Sequence, residues 1–128
     1  MPSQQYINPE TMAKPRGYTH AVKVGNTVYI AGQVSVALDG SVVGKGDPEA
    51  QARQIWRNLE AAVQAAGGTL QNIVKTTTYV TDIEYGAVVR TVREDLFRTS
   101  NPPTSTLLVV SALANPDFMV EIEAIAVV

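Results

Sequence analysis

The chain has 128 residues, a mass of 13.7 kDa and a net charge of −2, with 45% hydrophobic and 17% charged residues. This length fits one domain, residues 1–128, around a single core. Because there is no cysteine, a disulfide framework and a thiolate nucleophile are excluded. A single histidine, His20, makes a histidine-based metal cluster or a serine–histidine–aspartate triad implausible.

Charge and hydropathy also restrict the partners. The pI is about 5.3 and the basic residues are scattered, which argues against nucleic acid as a partner. The N-terminal stretch MPSQQYINPE lacks the basic-then-apolar pattern of a signal peptide, and no apolar run has the length of a membrane span. No glycine-rich phosphate loop or dinucleotide motif occurs. We therefore expect a soluble cytoplasmic protein without cofactor or metal.

The first half of the chain predicts a hairpin followed by a helix. After a polar lead-in that ends near Pro15, the segments 21–24 and 27–31 alternate like strands on either side of the hairpin signal Gly25-Asn26. A glycine-rich loop over 37–46 comes next. Asp47-Pro48 then begins a helix, with aspartate as cap and proline at the first helical position, and Gly67-Gly68 ends it.

The second half predicts strand, helix, strand, strand. Segment 73–80 is rich in β-branched residues, and a capping box of Thr81 and Glu84 precedes an amphipathic helix over 85–96. Strands follow over 104–113 and 118–127. The order ββαβαββ indicates one sheet with two helices on one face. The other face would remain apolar, which favours an oligomer.

Two carboxylates, Glu121 and Glu123, lie in the apolar run that closes the sequence. Residues i and i+2 of a strand share a face, so both carboxylates point the same way. Burying a carboxylate without a partner is costly. The pair therefore faces a wet cleft, a neighbouring subunit or a proton-transfer site.

Five short motifs occur in a fixed order along nearly the whole chain. They are Gly17-Tyr18, Ala31-Gly32-Gln33-Val34, Glu49-Ala50-Gln51-Ala52-Arg53-Gln54, Val74-Lys75-Thr76-Thr77 with Val80-Thr81-Asp82, and Val120-Glu121-Ile122-Glu123-Ala124-Ile125-Ala126-Val127. In this order and spacing the chain resembles the RidA/YjgF family of reactive-intermediate deaminases, also known as L-PSP endoribonuclease-like proteins.

The resemblance implies a chorismate-mutase-like α+β fold. It also implies a homotrimer in which three sheets form a central barrel and small ligands bind in the clefts between subunits. The implied chemistry is cofactor-independent hydrolysis of enamines or imines to a carbonyl compound and ammonia. In this chain Glu121 matches the family's catalytic carboxylate and Tyr18 its pocket tyrosine. Ala31 and Gly32 match substrate-binding positions, where a glycine permits close backbone approach.

One position departs from the family pattern. Typical deaminating members carry an arginine that holds the substrate carboxylate, and Thr104 stands at that place here, within Pro102-Pro103-Thr104-Ser105-Thr106. Either the substrate is not the usual small 2-imino acid, or another cation replaces the arginine. Arg90 aligns near a family position that approaches the pocket. The alternative for Arg90 is a solvated helix residue paired with Glu94.

Several functions stay open at this stage. The first is an imine or enamine deaminase, including one that acts on a different substrate such as an aminomuconate-type ring-cleavage intermediate. The second is a non-catalytic small-ligand-binding or regulatory trimer. Endoribonuclease activity ranks last, because the chain is acidic and offers no aromatic stacking platform. We expect His20 to be a hydrogen-bonded packing residue rather than a catalytic one.

Overall fold

The computed structural model describes residues 3–128 and contains one mixed sheet with two helices. The strands are β1 (Gln4–Ile7), β2 (Ala21–Val24), β3 (Thr27–Gln33), β4 (Ile73–Val80), β5 (Thr104–Val109) and β6 (Val120–Val127), and the helices are α1 (Pro48–Ala65) and α2 (Tyr85–Leu96), with a 3₁₀ turn at Leu70–Asn72. The strand order is β1-β2-β3-β6-β4-β5. Only β4 and β5 are parallel neighbours. The α+β class with a mixed sheet is confirmed.

Local sequence signals fix the predicted elements. Gly25, with φ 60°, turns the chain between β2 and β3, where a residue with a side chain would be strained. The Asp47 carboxylate accepts a hydrogen bond from the Ala50 amide at 3.1 Å, and Pro48 occupies the first turn of α1. Gly67, with φ 96°, follows the end of this helix.

The core lies between the helices and one face of the sheet. Alternate residues of β6 are buried on this inner face: Val120, Ile122, Ala124 and Ala126. They pack with the apolar stripes of both helices in one hydrophobic cluster. Trp56 of α1 stacks edge-to-face on Phe97, with ring centroids 5.5 Å apart. Within the described chain, neither helix is long and apolar enough for a membrane crossing.

The opposite, outer face of the sheet has no covering element in the described chain. Tyr29 of β3, Leu108 of β5 and Val127 of β6 point away from the buried side of their strands, and about half of each side chain is exposed. Exposed apolar side chains on an uncovered sheet face are typical of an interaction surface. Both carboxylates of β6 lie on this face, as predicted from their spacing.

The structure differs from the sequence prediction in several details. The polar lead-in contains β1, an edge strand that pairs with β2. Strand β5 ends at Val109 rather than continuing to residue 113, and β6 begins at Val120 rather than 118. The capping box before α2 is not formed, because the Asp82 carboxylate accepts the Glu84 amide hydrogen bond at 2.9 Å instead.

Candidate functional site

A bulge in β3 positions the backbone beside Glu121. Ile30 pairs with Ala124, and the next pair is Gln33 with Ile122. Strand β3 therefore contains one residue more than β6 between these two pairs. The extra residue lies at Ala31-Gly32. Bulges bend a strand and redirect its groups, and they are frequent beside functional sites.

Gly32 makes room for the Glu121 carboxyl group. A Cβ placed on residue 32 would overlap Glu121 Oε2 and lie 2.9 Å from Cδ, closer than real Cβ atoms approach. Only glycine therefore allows the carboxyl to rest directly against this backbone. Two sequence-predicted residues, separated by most of the chain, are thus brought together.

Burial and charge both act on Glu121. The side chain is half-buried on the outer face, and its removal from water raises the pKa of this carboxyl above the ordinary value. The negative charge of Glu123 raises the pKa further. A carboxyl with a raised pKa exchanges protons closer to neutral pH than an ordinary glutamate.

Glu123 is held by a tyrosine that the sequence reasoning did not select. The Tyr79 hydroxyl donates to Glu123 Oε1 at 2.8 Å, and this hydrogen bond is the main reason that the pKa of Tyr79 is raised. Tyr79 is also the β4 register partner of Glu121. The alternation of residues 73–80 could have placed Tyr79 on the outward face of its strand. Its position beside the carboxylates follows only from the pairing of β4 with β6.

A chain of contacts through His20 and Gln33 links Tyr18 to Ala31, the residue before Gly32. The Tyr18 ring, 53% exposed, lies edge-on to His20 with centroids 5.7 Å apart. His20 Nε2 donates to the Ala13 carbonyl at 2.7 Å, which leaves Nδ1 to accept from Gln33 Nε2 at 3.2 Å. Gln33 Nε2 also donates to the Ala31 carbonyl at 3.1 Å.

His20 is therefore a buried, fully hydrogen-bonded side chain, in agreement with its expected packing role. Gln33 is the residue that sequence reasoning missed here. Gln33 belongs to the motif around Gly32, so the sequence contained it. Its hydrogen bond to the Ala31 carbonyl forms only because the bulge turns that carbonyl toward it.

Thr104 and Arg90 do not join Glu121 within one chain. Glu121 pairs with Tyr79, which pairs with Leu108, whereas Thr104 lies beside Lys75, four positions along β5. This offset is about 13 Å along the strands and about 10 Å across two strand spacings. The Thr104 hydroxyl donates to the Val74 carbonyl at 3.0 Å.

Arg90 lies elsewhere, in a groove between α2 and β5. It is exposed and has no ion pair among residues 3–128, so the expected partnership with Glu94 is not formed. The same groove contains Arg93, which sequence reasoning did not select. Arg93 lies three residues after Arg90, and this spacing indicates that the two arginines share one helix face.

No group of three histidine, cysteine, aspartate or glutamate side chains in the described part of the chain is arranged to hold an ion. The chemistry that the arrangement offers is proton transfer by Glu121 beside the backbone of Gly32.

Comparison with known proteins identifies the family. The family model described as Endoribonuclease L-PSP matches residues 9–128. The chain is 36% identical to a RutC family protein of Pyrococcus horikoshii over 96% of this chain and 97% of that protein. It is 30% identical to a 2-iminobutanoate/2-iminopropanoate deaminase of Dermatophagoides farinae over 100% of this chain and 99% of that one.

Solved structures agree. A Rid family protein of Yersinia pestis superposes with a TM-score of 0.93 at 33% identity, covering 98% of this chain and 100% of that chain. The YjgF gene product of E. coli superposes with a TM-score of 0.89 at 36% identity, covering 96% and 98%. The chain belongs to the Rid/YjgF family, whose family model is the one described as Endoribonuclease L-PSP.

Proposed function

We propose that this protein hydrolyses reactive enamines or imines to a carbonyl compound and ammonia without a cofactor, with Glu121 as the proton-transfer group. The observation that carries the proposal is the half-buried Glu121 carboxyl resting on the bare backbone of Gly32. The Dermatophagoides farinae relative, whose name describes an imine deaminase, supports this reaction class.

The reaction requires proton transfer and correct placement of water and substrate, and it does not require a strong nucleophile from the protein. Protonation of the imine nitrogen by Glu121 makes the carbon more electrophilic, and water then adds to that carbon while the carboxylate accepts its proton. The resulting carbinolamine loses ammonia after the nitrogen is protonated, and the carbonyl forms. An enamine first accepts a proton at carbon, which gives the protonated imine directly. Glu121 acts alternately as acid and base in this sequence.

Tyr18, Ala31 and Gly32 form the remainder of the proposed site in this chain. The Tyr18 hydroxyl, on an exposed ring anchored by His20, is free to orient water or substrate. The bulged backbone at Ala31-Gly32 gives a ligand close access because residue 32 lacks a side chain. These residues orient the reacting atoms for attack.

We further propose a homotrimer in which the outer faces of three sheets form a barrel and each site lies in a cleft between two copies. The uncovered apolar outer face supports this assembly. The separation of Thr104 from Glu121 within one chain also supports it, because a second copy is needed to bring a Thr104 position to a Glu121 centre.

The substrate differs from the usual small 2-imino acid in this proposal. Thr104 has no charge for a carboxylate, and its hydroxyl is already engaged with a backbone carbonyl. Loss of a charge-assisted contact weakens the binding of a small anion by about one to two orders of magnitude. Arg90 remains a substrate-binding candidate as a replacement cation, supplied by a neighbouring copy, because it lies away from Glu121 of its own chain.

An imine panel tests the proposal. Purified protein is added to imines generated in place by an amino-acid oxidase or a pyridoxal-phosphate lyase, and carbonyl formation is followed beside buffer. The panel holds imines with and without carboxylates and is repeated with Arg90→Ala and Thr104→Arg. We expect acceleration for the wild type and a gain on 2-imino acids for Thr104→Arg. No acceleration with any imine would refute the proposal.

A non-catalytic ligand-binding trimer is the second candidate, and Thr104 in place of the arginine is the observation that favours it. Native mass spectrometry that finds a co-purified metabolite which the protein does not turn over would support it. Ribonuclease action ranks last, despite the family model's description. A protein with a net charge of −2 does not attract a phosphate backbone electrostatically.

A further inference from the structure

His20 and Gln33 are polar side chains that the proposed reaction does not use, although both are buried, with exposed fractions of 5% and 3%. Both are connected to Ala31, the bulge residue that precedes Gly32. The Ala31 amide donates to the His20 carbonyl at 2.9 Å, and the Ala31 carbonyl accepts from Gln33 Nε2 at 3.1 Å. His20 and Gln33 therefore hold both polar backbone groups of Ala31.

The tautomer of His20 determines the direction of this chain of hydrogen bonds. His20 Nε2 lies 2.7 Å from the Ala13 carbonyl oxygen, which can only accept, so Nε2 carries the hydrogen. In the neutral ring Nδ1 is then an acceptor, and Gln33 Nε2 donates to it at 3.2 Å. The Gln33 amide nitrogen thus uses its two hydrogens for two acceptors, His20 Nδ1 and the Ala31 carbonyl.

A second proton on the imidazole reverses one of these hydrogen bonds. Protonated Nδ1 is a donor and cannot accept from the Gln33 amide nitrogen. The Gln33 amide must then rotate so that Oε1 accepts from Nδ1, and this oxygen takes the place of the nitrogen beside the Ala31 carbonyl. Two acceptors then face each other, and the Ala31 carbonyl loses its donor.

The imidazole is the titratable group that lies within this chain of hydrogen bonds. Strand β3, which carries Gln33, has no charged residue, and Lys23 of β2 donates to the Ala66 carbonyl at 3.0 Å. Tyr18 meets the imidazole with its ring edge-on, and Glu121 lies against Gly32. The segment that supplies Ala13 carries three charged side chains, all exposed and none paired with His20: Glu10, Lys14 and Arg16. An imidazole ordinarily gains its proton between about pH 8 and pH 5.

We propose that His20 and Gln33 are positioning residues for the Glu121 site, and that protonation of His20 releases the Ala31 carbonyl and displaces the bulge from the Glu121 carboxyl. The Ala31 carbonyl and the Gly32 nitrogen belong to one planar peptide unit, so a rotation of this unit moves the backbone on which the carboxyl rests. The effect on the reaction rate rests on the proposed hydrolysis, whereas the movement of the bulge does not.

The test is a pH titration of the intact protein followed by NMR. The chain has one histidine, so the imidazole ¹⁵N signals belong to His20. We expect the Nε2–H tautomer in the neutral ring, and a shift of the Gly32 amide signal with the same midpoint as the imidazole. His20→Gln cannot gain the proton and should lose this shift. Glu121→Gln removes the other titratable group against Gly32 and should keep it.

Reaction rates extend the test to function. With an imine that the wild type accelerates, the rate should fall about tenfold as His20 gains its proton, which is the effect of one lost hydrogen bond. His20→Gln should lack this limb of the pH–rate profile and keep the limb that belongs to Glu121. Gln33→Met removes the donor and should be slow on both sides of the imidazole midpoint. Gln64→Met, at an exposed position of α1, is the matched control and should keep the wild-type profile.

Three results would overturn the proposal. They are a Gly32 amide signal that does not follow the imidazole, a neutral ring with its hydrogen on Nδ1, and an imidazole that stays neutral until the protein unfolds in acid. A protein that hydrolyses no imine would refute the proposed function alone, because the NMR titration still decides whether His20 controls the bulge.

Discussion

Gly32 determines how closely the Glu121 carboxyl approaches the backbone of β3, because an added Cβ would occupy the same space. We expect Gly32→Ala to displace this carboxyl and to lower imine hydrolysis by about a hundredfold, since displacements near 1 Å have effects of that size. Steady-state rates of carbonyl formation measure this.

Gly86→Ala on α2 is the matched control, because its Cβ would meet only Leu107 at ordinary contact distance. That variant should retain the wild-type rate and gain slight helix stability. Equal activity of Gly32→Ala and wild type would show that the Gly32–Glu121 contact has no role in the reaction.

Glu123 gives the second prediction at this scale. Its negative charge contributes to the raised pKa of Glu121, so Glu123→Gln removes a charge that disfavours ionisation of Glu121. The pKa of Glu121 should fall toward the ordinary range, and the corresponding limb of the pH–rate profile should move to lower pH. A ¹³C NMR titration of the Glu121 carboxyl carbon measures the shift without requiring activity.

Two further variants sharpen that titration. Tyr79→Phe removes the hydroxyl that donates to Glu123 but keeps the carboxylate charge, so it should change the Glu121 titration less. Glu94→Gln, on the helix side of the sheet, should leave it unchanged. An unaltered Glu121 titration in Glu123→Gln would contradict the electrostatic account.

At the residue scale the sequence predicted the sheet face that carries Glu121, but not which backbone lies against it. Spacing placed Glu121 on an outward face, and family resemblance added Gly32 and Tyr18. The contact between Gly32 and Glu121 depends on a bulge that shifts the register of two strands distant in sequence. No local pattern encodes such a pairing, and Gln33, which holds the bulge carbonyl, was missed for the same reason.

At the scale of elements, Gln51 joins helix α1 to the segment that enters β6. This fully buried side chain donates to the carbonyls of Gly44 and Asp117 and accepts from the Met119 amide at 2.9 Å. Gln51→Leu leaves these backbone groups without partners, and the free energy of unfolding should fall by about 2–4 kcal/mol.

Urea unfolding at a fixed protein concentration measures this cost, because association also contributes to stability. Gln64→Leu, an exposed position of the same helix, is the control and should change stability by less than about 0.5 kcal/mol. Comparable stability of the two variants would mean that the Gln51 network contributes little.

The prediction of elements was correct where local sequence signals are strong. It was wrong where strand pairing determines whether a strand forms or where it ends. Helix α1 carries a cap, a proline and a terminating glycine, and its predicted bounds are confirmed. Strand β1 is polar and short, and exists by its backbone pairing with β2. Strand β5 ends at Val109 because its partner β4 ends at Val80, so the apolar residues that follow have no ladder to join.

At the scale of the whole molecule, the uncovered outer face predicts self-association. The mass in solution should be three times the 13.7 kDa of the chain, as measured by light scattering after gel filtration. Tyr29→Glu places a charge among the apolar side chains of this face and should yield smaller species. Leu38→Glu, at an exposed loop position, should retain the assembly. A monomeric wild type would contradict the proposed trimer.

The central claim is that the Glu121 carboxyl transfers protons during imine hydrolysis. The most direct measurement is the rate of carbonyl formation from one imine that the wild type accelerates, compared with Glu121→Gln at the same protein concentration. Glutamine keeps the size of the side chain but cannot exchange the proton, so the rate should fall by about 10²–10⁴-fold toward that of buffer. A Glu121→Gln variant that retains the wild-type rate would contradict the claim.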